Sequence, residues 1–147
     1  MSVPRFWREI PHKYRLIGSR CRSCGAIYHP RRPICPKCGS RDMEDVSLSQ
    51  RGRLLAFTVI RRAPSDMADL RPYVVGLVEL EDGVKVLSQI VDCDPSELRP
   101  GLELEATLRR IRVHGPTGVI EYGYKFRPVI RWEPEEGARR GGGQEGR

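Results

Sequence analysis

The sequence predicts a mainly β chain made of a short helical leader, a small cysteine ribbon and a five-stranded barrel. Three observations predict it. Two Cys-x-x-Cys pairs, Cys21–Cys24 and Cys35–Cys38, stand ten residues apart. Five β-rich stretches follow between Gly52 and Phe126, parted by glycine and proline turns, and a capped helical turn at Asp94 precedes the fourth. At 147 residues there is room for one compact domain and a small appendage.

Residues 1–18 form the leader, with Phe6, Trp7, Ile10, Tyr14, Leu16 and Ile17 as its apolar content. Pro4 and Pro11 each suit the first turn of a helix, so two short helical turns are predicted, the second running into a ribbon strand. Phe6, Trp7, Ile10 and Tyr14 offer more apolar surface than so small a segment can bury alone. Aromatic anchors flanked by arginine are typical of interface hot spots, so these four are candidate partner-docking residues. The alternative is that the leader packs back on its own domain.

Residues 19–46 hold the ribbon. Cys21, Cys24, Cys35 and Cys38 can bring four thiolates to one tetrahedral ion, each pair supplying two sulfurs from a tight turn. Gly25 and Gly39 follow the pairs, where the knuckle backbone needs positive φ. The spacer Ala26–Pro33 is long enough for a small hairpin. The pattern reads as a rubredoxin-type zinc ribbon with structural Zn2+, iron being the other reading. Cysteine fills all four positions, which leaves no ligand position for a catalytic water. Disulfides would need an oxidising compartment, and Met1–Ile10 has no apolar run of the signal-peptide kind. Cys93, between Asp92 and Asp94, is expected to be a plain packed or surface thiol, because adjacent carboxylates disfavour its thiolate.

Residues 47–132 carry the barrel. Gly52–Ile60 is the first predicted strand and Tyr73–Leu80 the second, after a loop holding Pro64, Asp66 and Pro72. Glu81-Asp82-Gly83 turns into the third, Val84–Val91. Asp94 then caps a helical turn with Pro95 at its first position, ended by Pro100-Gly101. Leu102, Leu104, Ala106 and Leu108 alternate with polar residues, and the apolar phase flips to Ile111 and Val113, which predicts a bulge near Arg109-Arg110. The fifth strand is Val119–Phe126. Five strands with a helical turn between the third and fourth fit an OB-fold. The tail, residues 133–147, is glycine, glutamate and arginine, and is expected to be flexible.

The formal net charge of +7 is uneven. Residues 1–46 carry ten basic against four acidic side chains, residues 47–132 thirteen against eleven, and the tail three against four. Basic character in the ribbon and leader suits a phosphate-bearing ligand, a nucleic acid or an acidic protein surface, or is a plain solvated face. No stretch is apolar for long enough to span a membrane, and a soluble cytoplasmic protein is expected. His12, His29 and His114 are the histidines, and none stands in a pattern with a serine and an acid. No glycine-rich phosphate loop precedes a helix, and the acidic residues mostly alternate outward on strands. An enzyme acting on acyl-CoA would lack both base and nucleophile.

The order of these features resembles a known family. The leader, Cys21-x2-Cys24, Cys35-x2-Cys38, the Gly52 strand, Pro72-Tyr73-Val74-Val75, Glu81-Asp82-Gly83 and Asp94-Pro95-x-Glu97-Leu98-x-Pro100-Gly101 are similar to the acyl-CoA-associated OB-fold proteins with an N-terminal rubredoxin-like zinc ribbon. The likeness runs from about Arg5 to Pro128, and the leader is closest to archaeal members. It implies a non-catalytic accessory subunit, a scaffold holding acetoacetyl-CoA thiolase and hydroxymethylglutaryl-CoA synthase together early in the mevalonate pathway of isoprenoid biosynthesis. Bacterial relatives partner thiolase-like or hydratase-like enzymes. Arg20, Arg22, Arg31, Arg32 and Lys37 become candidates for contact with CoA phosphates or acidic partner surfaces. The competing reading is single-stranded RNA binding, with Tyr122, Tyr124 and Phe126 alternating on one face and Lys125 and Arg127 between them.

Overall fold

The computed structural model describes residues 3–64, 67, 70–115 and 117–130, and of Val3, Phe6, Glu9 and Lys13 only the backbone. The tail 133–147 and Asp66 lie outside the described residues. Where two helical turns are predicted, the leader forms one helix, α1 (Val3–Tyr14), with Pro11 inside it. A proline in the last turn costs a single backbone bond, and the Arg15 N–H still donates to the Pro11 carbonyl at 3.1 Å, so the helix carries through.

The ribbon is a three-stranded antiparallel sheet of β1 (Ile17–Cys21), β2 (Ile27–Tyr28) and β3 (Met43–Ser47), with β1 central. The spacer forms no hairpin of its own. Ile27 and Tyr28 pair instead with Arg20 and Ser19, because the first knuckle already reverses the chain and brings them back beside β1. The knuckle turns match each other: the Gly25 and Gly39 N–H groups donate to the carbonyls of Cys21 and Cys35, at 2.8 and 2.9 Å. Both glycines have φ of +72°, the left-handed conformation that glycine adopts without strain.

The barrel comprises β4 (Arg51–Ile60), β5 (Tyr73–Leu80), β6 (Lys85–Ile90), β7 (Glu103–Val113) and β8 (Ile120–Pro128). It closes in the order β4-β5-β6-β8-β7, the OB arrangement, with antiparallel pairing except between β6 and β8. Alternation accounts for the core. Val74, Val78 and Leu80 of β5 and Val86 and Ile90 of β6 face in, against Leu54, Leu104 and Phe126. The β7 register shift falls between Arg110 and Arg112, one residue beyond the predicted bulge. A 3-10 turn at Pro95–Glu97 follows Asp94, whose carboxylate accepts the Ser96 N–H at 2.8 Å.

Ribbon and barrel share a core. Leu16 and Leu48 are buried in the same cluster as the barrel residues, with Ile27 and Val46 packed against it, and the Leu48 N–H donates to the Leu16 carbonyl at 2.7 Å. α1 lies against β8. Among the described residues no helix is long and apolar enough to cross a membrane.

Candidate metal centre and docking surfaces

The two knuckles bring Cys21, Cys24, Cys35 and Cys38 together, with all four sulfurs within 4.8 Å of one another. Cys21 Sγ lies 3.5 Å from Cys38 Sγ, and Cys24 Sγ 3.5 Å from Cys35 Sγ. Four sulfurs around a tetrahedral ion at about 2.3 Å would stand about 3.8 Å apart, so the cluster has the dimensions of an ion cage. Cys21 and Cys35 are buried, Cys24 partly so, and Cys38 faces solvent.

The electrostatics of the cage call for a cation. The backbone N–H of Cys24 is the largest influence on the Cys21 thiol and holds it below its ordinary value. Burial pushes the Cys35 thiol up, but the Tyr28 hydroxyl at 3.5 Å and backbone N–H groups outweigh it and bring it down to about 6. Cys38 receives a backbone hydrogen bond at Ser40, yet the surrounding sulfurs raise it to about 12. Four thiolates cannot ionise side by side unaided, and a divalent ion supplies the charge that releases the last proton. These residues fit a structural metal.

Of the proposed docking residues, Trp7 is 68% exposed, Tyr14 is exposed and Ile10 is half-buried, whereas the Phe6 side chain lies outside the described residues. His12 Nε2 accepts from Arg31 at 3.1 Å, which fastens α1 to the ribbon. The ribbon's basic residues divide into two groups. Arg22 pairs with Glu44 at 3.0 Å and Arg31 with Asp45 at 2.8 Å, while among the described residues no ion pair reaches Arg20, Arg32 or Lys37.

The aromatic stretch on β8 is not the stacking surface its alternation suggests. Phe126 is fully buried, Tyr124 is partly buried against the core, and Tyr122 alone of the three is exposed. Lys125 is buried, and Arg127 is held by Glu105 at 2.8 Å. Cys93 packs against the core, and burial, then Glu97, Asp92 and Asp94, raise its thiol, as expected for an unreactive cysteine. Sequence reasoning missed Glu121. It is 5% exposed on β8 and meets His114 Nε2 at 3.0 Å, though strand alternation marked it as one more outward acid.

Two family models cover residues 8–109. ChsH2, rubredoxin-like zinc ribbon domain, matches residues 8–44, and ChsH2, C-terminal OB-fold domain, matches residues 45–109. A DUF35 domain-containing scaffold protein of Methanocaldococcus jannaschii is 45% identical over 128 residues, covering 86% of this chain and 91% of that protein. Benzoylsuccinyl-CoA thiolase subunit BbsA of Thauera aromatica is 32% identical over 114 residues, covering 78% of this chain and 76% of the subunit. Among solved structures, a chain of the Ltp2-ChsH2(DUF35) aldolase superposes with a TM-score of 0.68 at 28% identity, over 85% of this chain and 91% of that one.

Proposed function

Because the chain belongs to the family of DUF35 domain-containing scaffold proteins, we propose that it bridges acetoacetyl-CoA thiolase and hydroxymethylglutaryl-CoA synthase. The family is associated with thiolase-like CoA enzymes, and its scaffold members are non-catalytic subunits. The observation that carries the proposal is the exposed Trp7 on a helix whose following residues, Leu16 and Ile17, enter the ribbon and the shared core. An exposed tryptophan on a fixed helix can dock without first paying to order its own segment.

The segments divide the work. Residues 1–18 dock through Phe6, Trp7, Ile10 and Tyr14, residues 19–46 hold a structural zinc ion on Cys21, Cys24, Cys35 and Cys38, and residues 47–132 form the rigid body. Arg20, Arg32 and Lys37, which no ion pair reaches among the described residues, are the ones to meet CoA phosphates or an acidic partner surface. Four thiols kept free for a metal suit a reducing compartment, which supports a cytoplasmic location.

The physical rationale lies in the chemistry being coupled. Condensation of two acetyl-CoA molecules is unfavourable, so it profits when the next enzyme consumes acetoacetyl-CoA at once. Holding two active sites on one frame raises the local concentration of the intermediate without any new catalytic group.

Affinity purification from native extract, with mass spectrometry of what co-elutes, tests this. Recovery of both enzymes in fixed ratio is the expected result. Recovery of RNA or ribosomal proteins with neither enzyme would overturn it.

A further inference from the structure

The barrel is closed between β6 and β8 by a parallel bridge, Ile90 to Phe126. A pocket of about 450 Å³ lies between β5, β6 and the β7–β8 hairpin, and neither the metal cage nor the docking helix uses it. That volume falls within the range of small-molecule sites. Lys125 of β8 lines it and is only 5% exposed. Among the described residues no hydrogen bond or ion pair reaches its ammonium group.

A buried ammonium without a counter-ion is costly, and the charges around this one do not relieve it. Burial, and then Arg110 and Arg109, disfavour its charged form. Among the described residues Asp92 is the carboxylate that favours it, and Asp92 is already engaged by Arg109 at 2.5 Å and Arg127 at 4.0 Å. The Lys125 end of the pocket is therefore an anion position with its own counter-charges spent elsewhere.

The other walls narrow the ligand. Val75, Leu87 and Ile111 are apolar, and Leu87 is 70% exposed at the rim with nothing over it among the described residues. Glu121 lines the same pocket, four residues from Lys125 along β8 and so roughly 13 Å away. The pocket thus offers a ligand one cation, and its other charged lining residue is an acid, engaged by His114 at 3.0 Å. We propose that this pocket binds a small organic monoanion, a carboxylate whose head group sits on Lys125 and whose apolar body lies along Val75, Leu87 and Ile111.

NMR titration of the full-length, isotope-labelled protein with hexanoate, hexanol and adipate tests it. Hexanoate is expected to shift the Lys125, Leu87, Ile111 and Val75 signals saturably. Hexanol, without the charge, and adipate, with one too many, should each bind about tenfold more weakly, the scale of one charged hydrogen bond. Lys125→Met keeps the buried stem and should abolish the hexanoate shifts. An unsaturable response, equal binding of hexanoate and hexanol, or undiminished binding to Lys125→Met would overturn the proposal. Should that variant not fold, the wild-type comparison of hexanoate with hexanol decides alone.

Discussion

The Nε2 atom of His29 lies 2.8 Å from the Tyr124 hydroxyl, and this hydrogen bond joins the ribbon to the barrel across 95 residues of sequence. The other ring nitrogen, Nδ1, is 3.3 Å from the Ile17 carbonyl, an oxygen that can only accept. Nδ1 therefore carries the proton, Nε2 accepts, and the tyrosine donates. The rings also meet edge to face, 5.9 Å between centroids, and Tyr124 in turn meets Phe126 at 6.3 Å.

Tyr124→Phe keeps both ring contacts and removes only the donor. It leaves a half-buried acceptor on His29, and about 1–2 kcal/mol of stability should go with it. His29→Ala combined with Tyr124→Phe should cost less than the sum of the single changes, since both report on one bond. Urea unfolding of the four proteins measures this, and strict additivity would mean that the bond contributes nothing.

The same contact sets a pH dependence. Burial lowers the pKa of His29, and the Ile17 carbonyl reverses only part of that. In the unfolded chain the ring takes up its proton near pH 6.5, while in the folded protein it does so only at lower pH. Stability from this residue is thus complete above about pH 6.5 and declines as pH falls toward the folded value, below which it levels off. Protonation would also turn Nε2 from acceptor to donor against the tyrosine. The difference in stability between wild type and His29→Gln should narrow as pH is lowered from 7 to 5, and a constant difference would contradict the assignment.

Metal removal should affect the two sheets unequally. The ribbon has few buried side chains beyond Cys21, Cys35, Ser19 and the residues it lends to the barrel, and its knuckles converge on the thiols. Elemental analysis should give one zinc per chain. Chelation should loosen β1–β3 while the barrel keeps its cooperative transition, because Leu54, Val78, Leu104 and Phe126 owe nothing to the metal. Amide exchange before and after chelation distinguishes this from global unfolding, in which β5 and β6 amides would lose protection together with the ribbon.

Local patterns were readable where one chemical rule dominates. The Cys-x-x-Cys spacing located the cage, alternation located the barrel strands, and Asp94-Pro95 located the capped turn. What stayed hidden depends on partners distant in sequence. Nothing near His29 names Tyr124, and nothing in the alternation of β8 shows that Lys125 and Glu121 are covered while Tyr122 is not. Period two tells which residues share a face, and only the closed barrel and its added ribbon decide how far that face is covered. The leader misled for a different reason: Pro11 resembled a helix start, but a proline can also be carried inside a helix near its end.

Gly76, in the middle of β5, faces the barrel core. A Cβ added there would stand 2.7 Å from Leu54 Cδ1 and 2.9 Å from Ile90 Cγ1, both in the packed interior. Gly76→Ala should therefore lower stability by about 1–3 kcal/mol through overpacking. Leu54→Val in the same chain removes volume from the contact and should recover part of the loss. Thermal unfolding of the pair checks this, and if the second change only adds to the damage, the strain lies in the backbone rather than between these side chains.

Trp7 separates docking from folding most cleanly. With 68% of its surface exposed, it contributes little to the packing of its own chain, so Trp7→Ala should change stability by no more than about 0.5 kcal/mol. If it is an interface anchor, the same change should cost at least about 2 kcal/mol of partner affinity, roughly thirtyfold. Ile34, 47% exposed but on the ribbon, supplies the control: Ile34→Ser removes exposed apolar surface away from α1. Calorimetric titration of the proposed thiolase partner with each variant should show loss for Trp7→Ala and little change for Ile34→Ser. Equal loss in both would point to nonspecific apolar association, and retention in Trp7→Ala would move the docking surface off the leader, toward Arg20, Arg32 and Lys37 of the ribbon, which no ion pair reaches among the described residues.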